Sequence, residues 1–284
     1  MRRKQCMRRV ILALIILSVG LTGIAMASGN ASKSNGSNDI GFPGREEFPK
    51  IPIIEISELN RIFSEVVIVD TRSHYEYDTL RVKGSINIPV AEDTFEQNMM
   101  ELRAKTSKPI VFYCNGRTCY KSYIAVKKSE AAGVTDTHAF DAGIFEWVNK
   151  YPSRGELLGK SPVDLKNLIA TNKFKARLLD PDTFSEKAAD LGPNSIVLDV
   201  RDKFQRAGVG FFPGKERWVS LDDKEKLAKY LKKAKLSNKT LFIYDEVGKQ
   251  VRWLQYALEE AGIRDYYFMH DGAKAYYSQL STWK

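Results

Sequence analysis

Cys114 and Cys119 bracket the stretch Asn115-Gly116-Arg117-Thr118, and Cys114 itself closes an apolar run over 109–113, "PIVFY". A cysteine so placed can be a nucleophile, half of a disulfide, a metal ligand or a small core residue. Helix-forming sequence resumes about six residues later, so a tight turn opened by Gly116 can aim successive backbone N–H groups at one point. Such a nest, facing the start of a helix, stabilises an anion. An ordinary cysteine, with a pKa near 8.5, is only a few per cent thiolate at neutral pH, and a fall of about 1.5 units leaves it half ionised. Activation of this kind needs no histidine base, and His74, His138 and His270 form no papain-like constellation with the loop. The flanking Gly116, Arg117 and Thr118 make a poor core, which favours a working Cys114 over a buried hydrophobe. A structural zinc would require four ligands, and no histidine lies near these cysteines. Arg117 is the loop's one charged side chain; it is either a charge that attracts an anionic substrate or a solvated surface residue. Cys119 can pair with Cys114 as a redox switch, or serve as a core residue at the helix start.

The elements around this loop occur twice. Buried-strand signals fall at 66–72, 86–90, 109–114 and 137–143, with helical sequence after the third and fourth. A second set follows at 195–201, 217–221, 240–245 and 266–272, in the same order. Asp70 precedes Cys114 by 44 positions, and Asp199 precedes Asp245 by 46; Cys114 lies 27 before Asp141, and Asp245 lies 26 before Asp271. Order and spacing together imply a tandem duplication of an α/β unit: a central, mostly parallel sheet with helices on both faces, once per half. The expected domains are 48–152 and 161–284, with the break at "YPSRGELLGKSP" and a helix opening on Ser161, Pro162 and Asp164. The segment "KEKLAKYLKKAK" (224–235) reads as an amphipathic helix with a solvated lysine face.

The N-terminus is of another character. Residues 1–27 pair a basic start with an apolar run and an Ala-Met-Ala site, the pattern of a signal peptide; an uncleaved membrane anchor is the alternative. Removal takes away five basic residues, lowering the formal charge from +9 to +4, with 39 basic against 35 acidic residues left. That balance gives no argument for nucleic acid. Residues 28–47, rich in Gly, Ser and Asn, read as a flexible tether. The expected location is outside the cytoplasm, periplasmic in a bacterium.

"IVDTRSHYEYDTLRVKGSINIPV", "VFYCNGRTCYKSYIAVKKSEAAG" and "FDAGIFEWVNKYP" together resemble the rhodanese-like (sulfurtransferase) family. The second half resembles it through "VLDVRD", "FIYDEVGKQVRWLQYAL" and "HDGAKAYY", with Asp245 where the family has its cysteine. The resemblance implies sulfur transfer from a small sulfur-containing anion, such as thiosulfate or polysulfide, to a thiol, cyanide or protein acceptor, with no cofactor. Cys114 would carry the sulfur as a persulfide, and the amides of Asn115, Gly116, Arg117, Thr118 and Cys119 would cradle it. Cys119 could also resolve that persulfide. Asp70 and Arg72 match a signature read as structural. Asn115 and Gly116 stand where efficient thiosulfate-users carry basic residues. A phosphatase or arsenate reductase of similar fold would require an arginine at position 120, which is Tyr120. In the second half, the Asp245 carboxylate could accept the amide hydrogen bonds a persulfide would take, with Glu246 adding repulsion, leaving it catalytically silent. A sulfur- or redox-linked binding module that docks a partner through the second half is the competing reading.

Overall fold

The computed structural model describes residues 41–206 and 210–282; the leader expected at 1–27 and most of the tether lie outside the described residues. In the first half, strands β1 (Val67–Asp70), β2 (Leu80–Val82), β3 (Ile86–Asn87), β4 (Ile110–Tyr113), β5 (Thr137–Phe140) and β6 (Gly155–Leu157) form. Between and before them run helices α1 (Pro43–Glu47), α2 (Ile56–Arg61), α3 (His74–Thr79), α4 (Phe95–Lys105), α5 (Lys121–Ala131) and α6 (Gly143–Lys150). The second half supplies β7 (Leu178–Leu179), β8 (Ser195–Asp199), β9 (Glu216–Trp218), β10 (Thr240–Tyr244) and β11 (Tyr266–Met269). Its helices are α7 (Thr171–Lys175), α8 (Pro181–Asp190), α9 (Lys203–Arg206), α10 (Lys224–Leu236), α11 (Val251–Glu260) and α12 (Gly272–Thr282).

Two parallel sheets result, in the orders β3-β1-β4-β5 and β7-β11-β10-β8-β9, and an antiparallel pair, β2 with β6, stands apart. Read from its β9 edge, the second sheet repeats the first: β9-β8-β10-β11 against β3-β1-β4-β5. The registers repeat too. Asp70 pairs with Tyr113, just before Cys114, and Asp199 pairs with Tyr244, just before Asp245. Helices cover the sheets, so the central strands are apolar throughout. On β4, Ile110 and Phe112 join one cluster while Val111 and Tyr113 join another. On β10, Phe242 and Tyr244 face the half's own core, and Leu241 and Ile243 join the cluster that also holds Val111 and Tyr113. That shared cluster binds the halves together, with Phe145 of α6 stacked on Trp253 of α11 at 5.3 Å. Each fully buried aromatic, such as Phe112 or Phe242, contributes about 2–3 kcal/mol by leaving water.

Three local expectations change. The tether does not extend to residue 47: α1 is ordered, with Arg45 bonded to Asp141 at 2.7 Å and Gly44 so close to Tyr123 that a Cβ there would meet its ring at 2.4 Å. The helix expected at 161–170 is a short 3-10 turn, Leu165–Asn167, capped by Asp164. Its flanking amides are drawn into tertiary bonds instead, Val163 to the Pro152 carbonyl and Ile169 to Tyr256 Oη, and these displace helical pairing. The strand expected at 86–90 keeps only Ile86–Asn87, because the amides of Ile88 and Val90 bond to the ends of β1 and the residue after it. Helix α10 is amphipathic as its spacing requires, burying Leu227, Leu231 and Ala234. Among the described residues, no helix is long and apolar enough to cross a membrane.

Candidate active site

The loop between β4 and α5 is built on a reversal. The Cys119 amide donates to the Gly116 carbonyl at 2.8 Å, folding the chain back over Cys114. Gly116 adopts φ +149°, a conformation other residues rarely hold. From below, the start of α6 presses on the turn: the Ile144 amide donates to the Cys114 carbonyl at 3.0 Å. Gly143, at φ +71°, is so close that a Cβ would sit 2.4 Å from the Gly116 nitrogen. Only glycine fits there.

Cys114 is fully buried and Cys119 partly exposed; both are free thiols. Cys114 Sγ lies 3.0 Å from the Cys119 carbonyl oxygen and 4.0 Å from Ser122 Oγ. The two side chains share a charge. Burial, and then the Cys119 side chain, push the Cys114 thiol well above its ordinary range, against the pull of the Gly116 and Ser122 amides. For Cys119 the interaction with the Cys114 side chain is the largest influence; with the Asn115 and Lys121 amides and the Lys121 ammonium it outweighs burial and brings the pKa down to about 6. A thiolate is therefore favoured at Cys119 over Cys114. Burial thus works against the resting thiolate expected at Cys114, whose sulfur has no exposed surface. The amide cradle is also shifted. The Cys119 amide is engaged by Gly116, while Lys121 and Ser122, at the first turn of α5, join Asn115 and Gly116 in facing the sulfurs.

Arg117 is neither a bare anion-binding charge nor a solvated residue. It forms a two-point ion pair with Glu146, at 2.5 and 3.2 Å, and lies over the Phe42 ring at 4.5 Å. The charge expected to attract a donor is thus offset. Glu146 was not legible as a loop partner, although an acidic residue in the first turn of a helix is a recognisable signal.

Asp70 and Arg72, both fully buried, pair through two bonds of 2.9 and 2.6 Å. Arg72 then reaches the loop, donating to Asn115 Oδ1 at 3.2 Å, and Asn115 donates to Glu76 at 2.8 Å. Burial opposes the charge on Glu76, but Lys121 and Arg72 outweigh it and hold the carboxyl below its ordinary range. Glu76 is itself fixed by a capping box with Ser73. Trp253, from the second half, covers the Arg72 guanidinium at 5.0 Å. So the first loop is braced partly by the other half.

The equivalent loop of the second half has the same supports. Asp199 and Arg201 pair at 2.9 Å, the Ala273 amide donates to the Asp245 carbonyl at 2.8 Å, and Gly272 takes φ +62° under the turn. What differs is the occupant. The Asp245 carboxylate accepts the amides of Val247 and Val251, each at 3.0 Å, and those of Gly248 and Gln250. Burial raises its pKa, while these four amides pull it back. The ends of both sheets open on a cleft of about 710 Å³, with Thr71, Ser73 and Lys121 on one side and Asp202, Ser220 and Gln250 on the other.

A parallel sheet whose central strand ends in a thiol-bearing, amide-lined loop defines the class. Residues 55–150 match the Rhodanese-like domain family, and this part of the chain is a rhodanese-like domain. Among curated proteins, the chain is 37% identical over 83 residues to the HTH-type transcriptional regulator Rv0324 of Mycobacterium tuberculosis, covering 29% of this chain and 34% of that protein. It is 28% identical over 123 residues to the tRNA uridine(34) hydroxylase of Salmonella typhimurium, covering 41% and 32%. The chain thus spans about a third of the length of the curated relatives it matches. Among solved structures, the thiosulfate sulfurtransferase of Pseudomonas aeruginosa aligns over 81% of this chain and 43% of that one, at 16% identity and a TM-score of 0.37.

Proposed function

We propose that this protein is a sulfurtransferase, taking sulfane sulfur from a small anionic donor such as thiosulfate or polysulfide onto Cys114 and passing it to a thiophilic acceptor. One observation carries the reading: two free thiols, Cys114 buried at the end of β4 and Cys119 partly exposed, lie in one tight loop folded back at Gly116, inside the stretch that matches the rhodanese-like domain. As the Cys114 sulfur attacks the outer sulfur of thiosulfate, its proton passes to the Cys119 thiolate. The S–S bond of the donor breaks, sulfite leaves with the electron pair, and a persulfide anion remains on Cys114, facing the Gly116 and Ser122 amides. Asp70 and Arg72 hold Asn115, and through it the turn, without touching the sulfur.

The second half, residues 161–284, is a duplicate of the first that has lost this chemistry. Its strand order, its Asp199–Arg201 pair and its glycine under the turn support that descent. Asp245 occupies the amides that would hold a persulfide, so this half is silent and acts as a wall and a brace for the first. The leader at 1–27 would place the protein outside the cytoplasm. In the test, fully reduced protein is mixed with thiosulfate, without an added acceptor, and released sulfite is counted. One sulfite per chain is expected, and none from Cys114→Ser. If neither thiosulfate nor polysulfide reacts at Cys114, the proposal fails.

A further inference from the structure

The site of Cys114 poses an access problem that its neighbour resolves. The Cys114 sulfur has no exposed surface, the Cys119 carbonyl stands 3.0 Å from it, and the reversal at Gly116 holds residue 119 in that place. Cys119, by contrast, is partly exposed. Resting on the sulfurtransferase reading, we infer that Cys119 is a second catalytic residue: it attacks the Cys114 persulfide and converts the transferred sulfur to hydrosulfide, and the true acceptor is an external dithiol.

The step balances. The Cys119 sulfur attacks the inner sulfur of the persulfide, forming a Cys114–Cys119 disulfide. The bond to the outer sulfur breaks, and that sulfur departs with the electron pair and the Cys119 proton as HS⁻. Two cysteine sulfurs are oxidised together, and one sulfane sulfur is reduced by two electrons. An external dithiol then reduces the disulfide by exchange, becomes a disulfide itself, and restores the free pair.

Three observations favour this order over direct transfer to solvent. The Gly116 reversal fixes residue 119 with its carbonyl 3.0 Å from the Cys114 sulfur, so the attack is intramolecular and gains a large effective concentration. In the loading step the same neighbour takes the Cys114 proton, and that is the proton the departing sulfur needs to leave as HS⁻. Among the described residues, no third cysteine competes. The class of reaction that follows is therefore dithiol oxidation, and a thioredoxin-like reductant is the chemistry that must regenerate the site.

The experiment uses reduced full-length protein with thiosulfate, and separately polysulfide, without added thiol. Sulfite, sulfide and intact mass are read together. Wild type should release one sulfite and then one sulfide per chain, ending two hydrogens lighter, with a disulfide joining the tryptic peptides cut at Arg117. Cys119→Ser also lacks the group that takes the Cys114 proton, so it is given excess donor at pH 9 until loading is complete; it should then keep the extra sulfur on Cys114 and release no sulfide. Wild type that releases sulfite but retains the added sulfur, with no disulfide, overturns this inference and leaves the transfer reading standing. If sulfide release survives in Cys119→Ser, the second thiol is not the resolving group, and the inference also falls. No sulfite and no added sulfur in either protein overturns both.

Discussion

Replacing Cys114 by alanine should raise the pKa of Cys119, because the Cys114 side chain is the largest influence holding it down to about 6. Without that partner, the Asn115 and Lys121 amides and the Lys121 ammonium remain against burial, and a midpoint of about 8 is expected. A shift of about 2 units corresponds to about 3 kcal/mol of thiolate stabilisation. The sign runs one way: a lowered thiol pKa means thiolate above the midpoint, so wild type stays reactive down to pH 6 and the variant does not. Rate and midpoint must be separated, since a more basic thiolate is also a better nucleophile. With a Brønsted slope of about 0.4–0.5, 2 units of basicity raise the intrinsic rate roughly 6- to 10-fold. At pH 6 the variant has about 1% thiolate against about half in wild type, so it should alkylate about sixfold more slowly after that correction. Near pH 7 the curves should cross, and at pH 9 the variant should be about sixfold faster. Iodoacetamide labelling across pH, with the Cys119 peptide quantified by mass spectrometry, reads this directly. A wild-type midpoint at or above 8, or profiles that do not cross, would refute the shared-charge account.

Gly143→Ala forces a Cβ to within 2.4 Å of the Gly116 nitrogen at φ +71°; urea unfolding should show a loss of about 2 kcal/mol or more, from backbone strain plus displacement of the loop. Asp245→Ala leaves the amides of Val247, Gly248, Gln250 and Val251 without their acceptor, and a loss of about 3 kcal/mol is expected with the Cys119 midpoint unchanged. Glu146→Gln removes one negative charge paired with Arg117, so reaction with thiosulfate should quicken a few-fold at low ionic strength and the gain should disappear in about 1 M salt. A rate insensitive to both changes would mean that Arg117 does not face the donor path.

The two loops make a controlled comparison within one chain. Each lies beyond the central strand of its sheet, beside a buried Asp-x-Arg pair, over a glycine with positive φ. In one, thiol sulfurs face the amides; in the other, a carboxylate takes those amides for itself. The scaffold therefore sets where an anion goes, and the residue at the strand end decides whether that anion can react.

The succession of strands and helices, the location of the loop and the place of Asp245 at the equivalent strand end were legible because each is carried by periodicity or spacing along the chain. Buried parallel strands require runs such as 109–113, and an amide nest requires a glycine just beyond them. The different depths of the two thiols were not legible. Cys114 and Cys119 look alike in sequence, and what separates them is depth, the carbonyl at 3.0 Å and the reach of Lys121. Glu146, 29 positions from Arg117, and Trp253 over Arg72 belong to other elements altogether. Sequence by itself determined which chemistry the loop can hold, since local residue types set backbone geometry and donor supply. Tertiary structure alone decided which sulfur is buried and which cations are offset, since electrostatic energies depend on distance and desolvation that only packing creates.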